Sequence, residues 1–147
     1  MAESREINIR EFLANHHIRP SQQRVAIMEY LLANKTHPTV DQIFEQLSVD
    51  IPSLSKTTVY NTLTLFSRHG ITLVLTIDPR NLRFDSDTST HAHFLCEVCG
   101  ELHDIFLSKE QKEALQLLTR CEHQILDTQL NHKGVCKECR THARYQV

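Results

Sequence analysis

Through the first two-thirds of the chain, apolar residues return every three or four positions, the spacing that lines one face of an α-helix. Residues 5–16 place Ile9, Phe12 and Leu13 on such a face. Pro20-Ser21 opens a second helix, on which Val25, Met28 and Leu32 share a side. Thr39-Val40-Asp41-Gln42 fits the capping-box pattern, and Ile43, Phe44 and Leu47 follow it as a short third helix. Pro52 interrupts the chain. Ser55-Lys56-Thr57-Thr58 then starts a fourth helix that runs to about His69, with Gly70 placed to end it. Next come two β-like runs, Ile71–Ile77 and Leu82–Asp85, joined by the turn Asp78-Pro79-Arg80-Asn81. Short helices followed by a hairpin are the pattern of a winged helix-turn-helix. A small helical domain with an unrelated hairpin has the same spacing.

The fourth helix has two faces. Val59, Leu63 and Phe66 line one, while Thr57, Asn61, Thr64 and Arg68 lie opposite with Lys56 and Tyr60 on the flank. An outward face of uncharged polar groups with a few bases suits base edges and phosphates better than a generic solvated face does. Ser55, Lys56, Thr57, Thr58, Tyr60, Asn61 and Arg68 are therefore the candidate DNA-contacting residues. Tyr60 and Asn61 are expected on bases, and Lys56 and Arg68 on phosphates.

Beyond this helical part, residues 86–92 are small and polar and read as a hinge. Strands are expected at His93–Leu95, Glu101–Phe106 and Gln124–Leu130. Ser108-Lys109-Glu110-Gln111 caps a helix that carries Ala114, Leu115 and Leu118. The expected division is a domain over 1–85, a hinge at 86–92 and a second domain over 93–147. The second is too short for a generous core and needs a staple and a partner.

Net charge is −2, which does not advertise a nucleic-acid partner. Residues 1–80 hold eight Lys/Arg against eight Asp/Glu, so DNA contact there must come from local placement and not bulk charge. No run approaches the roughly 20 apolar residues of a membrane span. The charged start, Met1–Arg10, lacks a signal-peptide core, and a cytoplasmic protein without membrane contact is expected.

Five cysteines change the picture. Four form two clips, Cys96-Glu97-Val98-Cys99 and Cys136-Lys137-Glu138-Cys139, the ligand set of a closed tetrahedral Zn2+ site that is structural and not catalytic. Thirty-six residues separate the clips, enough for strand, helix and strand to bring them together. Two matched clips argue against a thioredoxin-like redox motif. Cys121 stands apart and reads as a small apolar residue or a redox-active thiol.

A second, non-thiolate set lies nearby. His91 and His93 project to one face of an extended segment. Asp104 sits among apolar residues on a strand, where a carboxylate is costly without a partner. Asp85 ends the hairpin, and His37 precedes Pro38, which biases it toward an extended conformation. Singly, His37 reads as a surface or capping residue and Asp85 as a turn residue. Together, three imidazoles and two carboxylates suit Fe(II) or Mn(II) better than zinc.

The ordered runs His37-Pro38-Thr39-Val40-Asp41-Gln42-Ile43, Thr57-Thr58-Val59-Tyr60-Asn61-Thr62-Leu63, Arg83-Phe84-Asp85, His91-Ala92-His93 with Cys96 and Cys99-Gly100, and Gly134-Val135-Cys136 with Cys139 resemble the ferric uptake regulator family over nearly the whole chain. The resemblance implies an α+β protein: an N-terminal winged helix-turn-helix domain, then a small α/β dimerisation domain with a four-cysteine zinc site. It further implies a homodimeric repressor on a palindromic double-stranded DNA operator. Asp at both carboxylate positions resembles the peroxide-sensing branch, whose regulatory Fe2+ or Mn2+ would fall on His37, Asp85, His91, His93 and Asp104. Ala92 departs from the His or Asp that many iron sensors carry there, which puts their additional site near His132 in doubt.

An iron-status sensor, or a sensor of another divalent metal, in the same family is the nearest alternative. A metal-dependent hydrolase or oxygenase would use the His/Asp set as an open site, yet it would leave the polar helix face without a role and lacks a clear general base. A zinc-stabilised dimerisation module without sensing is the third reading. A regulator, and not an enzyme, is expected.

Overall fold

Helix α1 (Ile9–Asn15) begins where the Asn8 side chain accepts from the Arg10 and Glu11 amides at 3.1 and 3.3 Å. The structure is a computed structural model that describes residues 8–142, in two units, Met1–Thr88 and Ser89–Val147. Residues 5–7 of the first expected helix lie outside the described range. Among the described residues no helix is long and apolar enough to cross a membrane.

In the first unit, Ser21 caps α2 (Gln22–Ala33). Its packing face is Ile27, Met28 and Leu31, with Val25 and Leu32 half-buried at the margins. Apolar residues nearly encircle this helix, so sequence spacing alone selected a neighbouring stripe. Thr39 closes α3 (Val40–Leu47) with the expected box: its hydroxyl accepts from the Gln42 amide at 3.2 Å, and the Gln42 side chain accepts from the Thr39 amide at 2.9 Å. Ser55 caps α4 (Lys56–Arg68), which buries Val59, Leu63 and Phe66 completely and Thr62 nearly so. Its end is a Schellman motif. Gly70 takes φ 70°, its amide reaches the Ser67 carbonyl at 3.0 Å, and the Ile71 amide reaches that of Phe66 at 3.0 Å.

The hairpin is shorter than its apolar runs. β1 (Leu73–Leu75) pairs antiparallel with β2 (Arg83–Asp85), Val74 opposite Phe84. The connection carries more than a turn. The Asp78 side chain is 2% exposed and receives Arg83 Nε at 3.0 Å and Nη2 at 2.9 Å on Oδ2, while Oδ1 accepts the Arg80 amide at 2.9 Å. Burial pushes the Asp78 carboxyl up, but the Arg80 amide and the Arg83 guanidinium outweigh it and hold it below its ordinary range. A depressed folded-state value contributes stability above the unfolded value, near 4, that is lost as pH falls through the folded one. Asp78→Asn should therefore flatten the acid side of the first unit's stability curve below about pH 4, followed by circular dichroism; an unchanged acid slope would contradict the assignment.

In the second unit, β3 (Ala92–Cys96) is central, antiparallel to β4 (Leu102–Ile105) and parallel to β5 (Leu130–Gly134). Helix α5 (Lys109–Leu118) starts at the expected Ser108 box, and α6 (Lys137–Thr141) follows β5. The strand expected over 124–130 is a correction. Residues 124–129 have no regular structure, and the strand is Leu130–Gly134. Its Asn131, His132 and Lys133 are polar, so apolar alternation cannot reveal it. Backbone register fixes it instead, His93 opposite Asn131 and Cys96 opposite Gly134. Gly134 lets β5 lie close to the Phe94 ring: a Cβ there would stand 3.3 Å from it and press the ring aside by a few tenths of an ångström. The division between units falls at Thr88 and Ser89, inside the expected hinge; Ala92 already belongs to β3, and the Ser86 hydroxyl is fastened to the Leu31 carbonyl at 3.1 Å.

Candidate metal centres

The first clip is the turn from β3 to β4. Gly100, at φ 76°, lets its amide return to the Cys96 carbonyl at 2.9 Å, and the Cys96 amide meets the Glu101 carbonyl at 2.9 Å. The second clip is the start of α6, where Cys136 Sγ accepts the Cys139 amide at 3.5 Å. Parallel pairing of β5 with β3, plus the Glu97 amide on the Gly134 carbonyl at 2.8 Å, sets one clip beside the other. The four sulfurs lie within 4.8 Å of one another, with Cys99 and Cys136 Sγ 3.9 Å apart. A tetrahedron of Zn–S bonds near 2.3 Å has edges of about 3.8 Å.

All four are free thiols, and their protons are unequally held. The Cys99 and then the Cys136 amide lower the Cys96 thiol to about 6. The hydrogen bond with Cys136, then burial, pushes Cys139 up to about 12. One thiolate is thus ready, while the raised Cys136 and Cys139 thiols need a cation to displace their protons.

The His/Asp residues fall into one set in each unit. In the first, His37 and Asp85 are buried, 3% and 5% exposed, with Nε2 3.5 Å from Oδ2. The extended conformation expected for His37 is not found. It takes φ 52°, the left-handed region uncommon for non-glycine residues. Local preference before proline is overridden because β2 grips both residues: Arg83 Nη1 donates to the His37 carbonyl at 3.4 Å and the Phe84 amide to that of Pro38 at 3.1 Å.

In the second unit, His91 and His93 are 6% and 3% exposed. Their Nε2 atoms lie 3.3 and 3.5 Å from the same Asp104 oxygen. His91 Nδ1 is 2.8 Å from the Ser89 carbonyl, which can only accept, so Nδ1 carries the proton. In the neutral ring Nε2 then presents a lone pair toward a carboxylate oxygen. A proton on the ring or a cation between them makes that contact favourable, and a single divalent ion would serve both rings at once, with the Ser89 carbonyl orienting His91 from behind.

On the outward side of α4, Ser55, Lys56, Thr57, Tyr60, Asn61 and Arg68 are exposed or partly so, and Thr58 is half-buried. Lys56 is engaged by Asp41 at 2.8 Å, which raises its proton affinity. Both partners are over half exposed, so the pair is weak and can be exchanged for a phosphate. Sequence reading missed Arg19 and Arg24. Both line an open groove with Gln23, Thr58 and Asn61, and only tertiary folding brings them beside α4.

The sequence profile of the Ferric uptake regulator family matches residues 15–133. The Peroxide-responsive repressor PerR of Staphylococcus aureus (strain Mu50 / ATCC 700699) is 39% identical over 127 residues, covering 83% of this chain and 82% of that protein. Among solved structures, the ferric uptake regulator from Francisella tularensis with iron superposes with TM-score 0.67 at 27% identity, covering 84% of this chain and 95% of that one. The ferric uptake regulator from Pseudomonas aeruginosa with manganese gives TM-score 0.73 at 22% identity over 89% and 99%, a likeness of fold.

Proposed function

The chain belongs to the ferric uptake regulator family, a family of metal-responsive transcriptional regulators and not of enzymes, and on that premise we propose that it is a homodimeric repressor that senses peroxide. Zn2+ occupies Cys96, Cys99, Cys136 and Cys139 as a structural ion. Fe2+ or Mn2+ is held by His37, Asp85, His91, His93 and Asp104. The convergence of two buried imidazoles on one Asp104 oxygen carries this reading. Three nitrogens and two carboxylates form a donor set harder than the thiolate site, and the 39% identical peroxide-responsive relative supports the signal.

Ligands from both units make metal occupancy a clasp. It fixes the first unit against the second and so the spacing of two α4 helices over a palindromic operator. Ser55, Lys56, Thr57, Thr58, Tyr60, Asn61 and Arg68 meet the DNA, joined by Arg19 and Arg24 on phosphates. Pairing of two chains covers the apolar side chains of the second unit, where Leu117, Leu118, Ile125 and Leu126 are 59%, 82%, 49% and 87% exposed.

When bound, Fe(II) supplies the reducing electron for peroxide, which Mn(II) resists giving. The chain supplies the oxidisable groups, the His37 and His91 imidazoles. Peroxide treatment of the Fe(II) form should add one oxygen mass to a peptide containing His37 or His91 and abolish operator binding, while the Mn(II) form stays unmodified. Mass spectrometry that finds oxidised cysteine alone would move sensing to the thiols. The alternative, an iron-status sensor, is favoured by the iron-bound Francisella tularensis relative at 27% identity. It predicts loss of DNA binding that added Fe(II) fully reverses, with no change in mass.

A further inference from the structure

Three consecutive residues of β2 hold His37 and Pro38. The Asp85 carboxylate faces the His37 ring at 3.5 Å, the Phe84 amide donates to the Pro38 carbonyl at 3.1 Å, and Arg83 Nη1 donates to the His37 carbonyl at 3.4 Å. The last contact is itself anchored. Arg83 is 15% exposed, and its Nε and Nη2 both bind Asp78 Oδ2, at 3.0 and 2.9 Å. Asp78 in turn is fixed by the Arg80 amide at 2.9 Å. One planar guanidinium therefore spans from the hairpin turn to the backbone of a residue at φ 52°. Such a conformation is disfavoured for a residue with a side chain and persists only where its surroundings impose it. All these contacts lie within the first unit.

We propose that Arg83 is a positioning residue for the regulatory metal: braced by Asp78, it holds the His37 carbonyl, and so the left-handed backbone that aims His37 Nε2 beside Asp85. This rests on the reading of His37 as a ligand. It differs from a purely structural ion pair in one respect. Arg83 should act on the metal only through His37.

Arg83→Lys separates the two roles, because lysine keeps a cation for Asp78 but cannot fork to two partners in fixed directions. Mn(II) affinity, read by competition with a chelating dye on the zinc-loaded full chain, should fall at least about tenfold, as for other groups that orient metal ligands. Zinc content and apo-form melting should hold. In a His37→Ala background the same substitution should add no further loss, the non-additivity expected of residues acting as one. Asp78→Asn, which loosens the brace while keeping a polar acceptor, should weaken Mn(II) in the same direction and serves if the lysine variant fails to fold.

Mn(II) affinity within twofold of native in the lysine variant, or in the Asp78→Asn variant where that one is read, overturns the proposal. So does a loss that persists undiminished without His37. If His37→Ala alone leaves Mn(II) affinity unchanged, the ligand assignment fails and this proposal with it. A loss in His37→Ala beside native affinity in Arg83→Lys sinks the positioning role alone.

Discussion

Serine at position 136 should cost the second unit its fold. Cys136 is 7% exposed, its amide donates to Cys96 Sγ at 3.4 Å, and its own sulfur caps α6. Losing it removes one of four sulfur donors and the link that returns β5 to β3. Little else holds this unit together. Its buried apolar side chains among the described residues are Ala92, Leu95, Cys96 and Cys136, and α5 has no buried residue. At roughly 1.5–3 kcal/mol for each large apolar side chain, that core is far too small to offset the ordering of such a segment. A structural zinc contributes on the order of 10–16 kcal/mol, enough to decide whether the unit folds. Metal analysis of Cys136→Ser should show one equivalent lost, and circular dichroism should show the sheet lost, while the helices of the first unit survive. Native-like melting without that metal would mean the fold rests on something else.

The second large effect is expected at His37. Its ring is 3% exposed beside Asp85, in a backbone conformation held by neighbouring contacts. Moving a regulator from mostly open to mostly closed takes on the order of 5 kcal/mol of differential affinity, so every donor of the proposed clasp matters. In His37→Ala, operator affinity measured with and without Mn(II) should agree within about twofold. The native protein should gain about a hundredfold or more under the same conditions. Zinc content and dimerisation should be unaffected, because Cys96, Cys99, Cys136 and Cys139 lie in the other unit. A metal-dependent gain that survives the substitution refutes the clasp.

What could be read beforehand follows a physical division. Local signals were legible: the boxes at Thr39 and Ser108, the cap at Ser55, the Gly70 terminus, and the fully buried Val59, Leu63 and Phe66 stripe. Each depends on residues within a few positions of one another. The two cysteine clips were legible because thiol chemistry fixes their spacing. What the sequence hid was set by distant partners. β5 carries Asn131, His132 and Lys133 and is defined only by its register with β3. Asp78 read as a turn residue because its buried guanidinium partner comes from the facing strand. Arg19 and Arg24 lie far from α4 in sequence and reach its edge only through packing. His37 departs from the habit of residues before proline because β2 dictates otherwise.

Helix α5 has no buried residue in its own chain, yet it opens with a complete capping box and carries Leu117 and Leu118 into solvent. Local capping can start such a helix; it gives the leucines nothing to rest against. If two chains pair over this helix as proposed, the finished form of this half is a joint possession of two copies. Its worth rises with how many are present, so dilution erodes folding as well as association.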